Sequence, residues 1–214
     1  HNCAAKVRQY MELEGIRFID GGVLDHVEKI KGKKKKVSWI DKEGVKHSEE
    51  YETIVVAIGK TGNINLLNLE VPGVKFDPET LQILTNEADQ TNVSIIYSLG
   101  SCSERKLATV RVGDLLSQRL FGGSSKLMND KSIARTIYTP LEYSFIGYTE
   151  EEAWGKYGKD NIMGYHSVFK PLEWIYIDDY PKDACYVKMV CKKDENKRII
   201  GLHYVGPNAG EIMQ

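Results

Sequence analysis

Residues 97–110 read YSLGSCSERKLATV, so Ser101, Cys102 and Ser103 follow directly on Gly100. A glycine closing an apolar run lets backbone approach a bound molecule, and two hydroxyls and a thiol beside it can hydrogen-bond. Other candidates for chemistry are sparse. The four cysteines, Cys3, Cys102, Cys185 and Cys191, include no C-x-x-C pair, and the five histidines lack metal-ligating spacing. Cys185 and Cys191 sit six residues apart in one extended run, too far to bridge, and read as core thiols rather than a redox pair. His166 and His203 each fall inside a predicted strand. No catalytic residue and no metal ligand is assigned.

The elements that must position these residues follow from period and punctuation. Asn2–Glu14 reads as a helix stopped by Gly15, and IRFID as a short strand. VLDHVEKIKG, KKVSWID and VKHSEE form a meander turning at Lys42-Glu43-Gly44. The lysines at 31 and 33–36 read as a solvated hairpin end. Ile54–Ile58 in TIVVAIG, and SIIYSLG further on, are unbroken apolar runs of the kind buried on both faces of a parallel sheet. A helix is predicted over 107–121, with Ala108, Val112, Leu115, Leu116 and Leu120 at helical spacing. Thr149 and Glu152 form a capping box for a helix over 150–157, closed by Gly158. Strands follow at NIMGYHSVF, ACYVKMVCK and RIIGLHYVG, then Asn208 and Glu211 start another helix.

Composition is that of an ordinary globular chain: 42% hydrophobic, 28% charged, net charge −1. That balance supplies no global field for nucleic acid or an acidic membrane surface. No apolar run is long enough to span a bilayer, and no signal-peptide pattern is visible. Cysteines without a disulfide framework fit a reducing, cytoplasmic setting.

Several strings taken together carry a family resemblance. TIVVAIG, DQTNVSIIYSLG, LLSQRLFGGS, TPLEY, YHSVFKPLEW and GLHYVGPNAGEIMQ resemble animal thioredoxin reductases and thioredoxin–glutathione reductases, colinearly from about Val7 to Gln214. The resemblance implies an α/β fold: partial Rossmann-like NADPH and FAD domains, then an α+β interface domain with an antiparallel sheet. It places 1–58 in the NADPH domain, 59–128 in the returning part of the FAD domain and 129–214 in the interface domain. It implies FAD and NADPH as family cofactors, a homodimer, and a thioredoxin-like partner. In that chemistry NADPH passes a hydride to FAD, and electrons move on through a dithiol.

The departures matter equally. No G-x-G-x-x-G occurs here to bring backbone N–H groups to a pyrophosphate, and no C-x4-C occurs. In the family both lie upstream of the matched region, and the proton-relay His and Glu lie downstream. The family carries Asp where this chain has Ser101, and that carboxylate accepts a hydrogen bond from a ribityl hydroxyl of FAD. Serine forgoes a charge-assisted bond worth about 1.5–3 kcal/mol, or about ten- to a hundredfold in affinity. The loop to the next helix is also shorter, its Thr-Pro is gone, and Arg111 replaces a small or neutral residue. Lys60 replaces the family's usual Arg after Gly59, and Ser144-Phe145-Ile146 replaces smaller residues. Gly59, Gly100, Ser101 and Ala108 therefore mark a degenerate FAD/NADPH neighbourhood. The expectation is that this chain binds no cofactor and is inactive alone. It serves either as a structural or interaction module or as a fragment of an active disulfide reductase. Unpaired apolar strands call for cover by a second copy, another protein or further parts of the polypeptide.

Overall fold

The computed structural model describes residues 2–105, 110–177 and 184–214. They form an α/β chain with two antiparallel sheets, divided into two compact units, 14–60 and 1–13 with 61–214.

The smaller unit is the meander: β1 (Val23–Lys29), β2 (Lys35–Ile40) and β3 (Lys46–Tyr51), paired in that order. Asp41 closes the second turn by accepting from the backbone N–H of Glu43 (3.0 Å) and Val45 (2.8 Å), while Gly44 takes φ +81°. The lysine-rich end is solvated, with Lys36 facing Glu28 (3.6 Å) and Lys34 facing Glu50 (3.4 Å). Two expectations fail here. IRFID forms no strand. Nor does TIVVAIG, whose Val55, Val56 and Ile58 are 83%, 73% and 93% exposed. A run apolar on both faces is held as a strand only by neighbours on both sides, and none of the described residues pairs with it.

In the larger unit the second sheet has the order β4-β5-β8-β7-β6: β4 (Arg135–Ile137), β5 (Tyr143–Gly147), β6 (Ile162–Phe169), β7 (Cys185–Lys192) and β8 (Arg198–Val205). α1 (Asn2–Leu13) lies on it, burying Cys3, Val7 and Tyr10 with Leu141, Ala184, Tyr186 and Val205. α3 (Glu150–Tyr157) has the predicted capping box: Thr149 Oγ1 accepts from Glu152 N (3.1 Å) and Glu152 Oε2 from Thr149 N (3.0 Å). It packs Ala153 against Ile162 and Val190. The last helix, α4 (Ala209–Ile212), is a single turn. Asn208 precedes it in the left-handed region and makes no side-chain cap, so the predicted pairing with Glu211 is not how it starts.

β5 and β8 meet at Gly147 opposite Gly201. A Cβ on Gly147 would overlap the Ile200 carbonyl oxygen, and one on Gly201 would overlap that of Tyr148. Beside this crossing the larger replacements are packed, not displaced. Ser144 is fully buried and bonded to Thr136 (2.9 Å), and Phe145 stacks on Tyr143 and His203.

Candidate functional site

Gly100 begins the 3-10 turn Gly100–Cys102 with φ +77°, a conformation that favours glycine. The turn is fixed from below. Ile83 donates its N–H to Cys102 O (2.8 Å), Glu104 donates to Ile83 O (3.0 Å), and Ser103, 1% exposed, bonds Thr85 through its hydroxyl (3.0 Å). Cys102 Sγ donates to Leu99 O (3.2 Å). Ser101 points outward and makes no side-chain hydrogen bond among the described residues. The run before it is not a strand: Tyr97 has one bridge, to Gln90, and Ile95 is 84% exposed. Residues 89–91 flank it on one side only, through Thr91 N–H to Ile96 O (2.9 Å) and Ser98 N–H to Asp89 O (3.0 Å), which is too short a ladder to make a strand.

Beyond the turn runs α2 (Val110–Phe121), with Val112 and Leu115 buried and Arg111 exposed. Ala108 and the expected helix start at Leu107 lie outside the described residues. Gly59 falls in the smaller compact unit, with φ +141°, whereas Gly100 and Ser101 belong to the larger one.

Sequence reasoning missed the group that organises this neighbourhood. Asp89 is 2% exposed and takes two guanidiniums, Arg105 on one oxygen (2.7 Å) and Arg119 on the other (2.7 Å). Arg105 also reaches Glu87 O (2.7 Å) and Asp130 (2.7 Å), and Arg119 reaches Ala88 O (2.9 Å) and Lys126 O (3.1 Å). The cluster ties the segment after the Gly100 turn and the end of α2 to one buried carboxylate. A signal existed: Val112, Leu115 and Arg119 share a helical face, so the arginine lies on the buried stripe.

The test of a flavin fit is the donor and acceptor set at the turn. Ser101 supplies a neutral hydroxyl, and the nearby buried carboxylate of Asp89 is committed to two arginines. No residue of the turn offers a charged acceptor, so at Ser101 a ribityl hydroxyl would meet only a neutral oxygen. Among the described residues no cluster of histidine, cysteine and carboxylate could hold a metal.

Three of the thiols, Cys3, Cys185 and Cys191, are buried. All four are free. Burial raises the pKa of Cys3 and Cys191 and pushes Cys185 up to about 11, so these stay protonated at neutral pH. His203 is equally structural. Its Nε2–H donates to Tyr148 O (3.1 Å) and its Nδ1 accepts from Tyr143 Oη–H (2.9 Å), which fixes a neutral tautomer. Burial pulls its pKa below the ordinary value, outweighing the Tyr148 carbonyl. The unfolded chain therefore protonates first. Stability is expected to be full above the ordinary histidine pKa of about 6.5 and to fall as pH drops below it toward the folded-state value. Thermal melts against pH check this: His203→Phe should flatten that limb of the curve, and superimposable limbs would count against it.

Comparison with known proteins now places the chain. A family model described as "Pyridine nucleotide-disulphide oxidoreductase" matches residues 1–114, and its "dimerisation domain" counterpart matches 133–214. The chain belongs to the pyridine nucleotide-disulphide oxidoreductases. Within that family it is thioredoxin reductase-like. It is 40% identical to thioredoxin reductase SEP1 of Emiliania huxleyi over 99% of its own length and 44% of that protein. It is 37% identical to a thioredoxin reductase of Plasmodium falciparum (isolate FCH-5) over 99% of its own length and 41% of the relative. The chain thus spans less than half the length of these relatives. Its five-stranded sheet falls in the dimerisation match, whereas the Gly100 turn falls in the oxidoreductase match. No described helix is long and apolar enough to cross a membrane.

Proposed function

We infer that this segment belongs to a thioredoxin reductase-like protein that has kept its packing surfaces and lost its cofactor contacts, and that it acts as a structural or interaction module. The observation that carries the reading is Ser101 at the Gly100 turn, with Asp89 already spent on Arg105 and Arg119. FAD and NADPH, the cofactors of the family, are not held by this chain. Its segments are the second half of the NADPH domain at 1–58, the returning part of the FAD domain at 59–128 and the first part of the interface domain at 129–214. The interface segment pairs with a second copy or another protein, a thioredoxin-like one included. The setting is cytoplasmic.

A second reading has its own support. Identity of 40% across the chain to a protein named as a thioredoxin reductase favours a fragment of an active FAD- and NADPH-dependent disulfide reductase. Turnover separates the two. The purified 214-residue chain and the longest natural form of its polypeptide are each assayed for NADPH-dependent reduction of a small aromatic disulfide. The expected result is no rate above buffer for either. Flavin-dependent turnover by the natural form would establish the second reading, and turnover by the chain alone would overturn both.

A further inference from the structure

A cleft of about 600 Å³ opens between the end of β5, the start of β8, the end of α3 and residues 129–132. Its volume lies in the range of small-molecule sites. Four cations stand on its wall: Lys131, Lys156, Lys192 and Arg198. Two tyrosine rings, set edge to face at 5.8 Å, form its floor and hold the ammonium groups in place. Lys131 and Lys156 each lie 4.9 Å from the Tyr148 centroid, and Lys156 and Lys192 lie 5.4 and 4.6 Å from that of Tyr157.

The charges do not cancel. Glu152 takes Lys131 on both oxygens at 2.8 Å. Glu195 is shared between Lys192 (2.6 Å) and Arg198 (3.3 Å), and Asp194 stands 3.6 Å from Lys192. Lys156 has no carboxylate within ion-pair distance among the described residues, and its hydrogen-bond partner is the neutral Tyr148 hydroxyl at 2.6 Å. One positive charge is left over, held between two rings, with a half-shared guanidinium on the same wall. Compact multivalent anions meet their strongest partners in such charge-assisted donors. An aromatic ring on the anion would have the half-buried Tyr148 and Tyr157 rings beside it.

The geometry points to this cleft as a binding site for a phosphate group, carried free or on a small phosphate monoester, with Lys156 as its principal contact. It lies apart from the Gly100 turn and does not depend on whether flavin binds there. Calorimetric titration of the longest natural form with inorganic phosphate and with phenyl phosphate, at constant ionic strength, tests it. Saturable binding in roughly the millimolar range is expected for one or both probes. Phosphate alone would mark an inorganic-anion site, and tighter phenyl phosphate a monoester site. Lys156→Met should weaken binding about tenfold or more, and Lys156→Arg, which keeps the charge, should stay close to the parent. Because Lys156 is exposed, both variants should fold, and a thermal melt verifies that. Absence of saturable binding, or equal binding by the parent and Lys156→Met, would overturn the assignment.

Discussion

Replacing Asp89 with alanine should cost about 3–5 kcal/mol of stability, the range for breaking a buried ion pair by removing one partner. The reason lies in what is left behind. Arg105 and Arg119 have side chains only 13% and 10% exposed, and each donates to an Asp89 oxygen at 2.7 Å. Without the carboxylate, Arg119 keeps only backbone carbonyls among the described residues, and Arg105 keeps such carbonyls and Asp130, itself 47% exposed. Of the two partly desolvated charges, Arg105 alone would then retain a carboxylate, at the surface. Removing Arg105 alone should cost less, since Asp89 retains Arg119. Denaturant unfolding of the longest soluble form, read at a probe within 61–214, measures both. A loss under about 1 kcal/mol for Asp89→Ala would place the cluster among solvated surface pairs, which are worth that much.

The second large effect belongs to the glycine crossing. Gly201 is buried in β8, and a methyl group there would overlap the Tyr148 carbonyl oxygen and crowd its carbonyl carbon and amide nitrogen, which are backbone rather than a yielding side-chain end. Moving Tyr148 would stretch its N–H bond to Ile200 O (3.0 Å) and the His203 bond to its carbonyl (3.1 Å). Gly201→Ala is expected to cost about 3 kcal/mol, the upper end for forcing extra volume into a packed site. For a chain of this size that is a fall of roughly 6–12 °C in Tm. A melt within a degree or two of the parent would show that the two strands can part freely.

How much of this was legible in the sequence divides by the range of the forces. The meander, the Thr149 capping box, α3 and strands β6 to β8 were readable because each rests on alternation, a turn or a cap within a few residues. Burial of Cys185 and Cys191 followed from their place on the apolar face of an alternating strand. TIVVAIG and SIIYSLG were misread as formed strands because an apolar run records that neighbours are needed, not that the chain supplies them. The docking of α1 on the second sheet had no local sign, since an amphipathic face does not name its partner. At the candidate site, Ser101 and the missing fingerprints were visible as residue types. Of the Asp89 cluster only Arg119 on the buried stripe was visible, because the partner carboxylate lies 30 residues from Arg119 and 16 from Arg105. The cationic cleft escaped for the same reason, its lysines lying in three separate elements.

Flavin content is the most direct test of the central claim that the Gly100 turn no longer holds a cofactor. The longest natural form would be purified without added flavin, then denatured, and the flavin released per polypeptide measured by absorbance. A protein with Ser101→Asp would be treated identically. The account predicts essentially no flavin in either, because the restored carboxylate leaves the shortened approach to α2 unchanged and the two losses act at separate points. One flavin per polypeptide in the unmodified protein would contradict it.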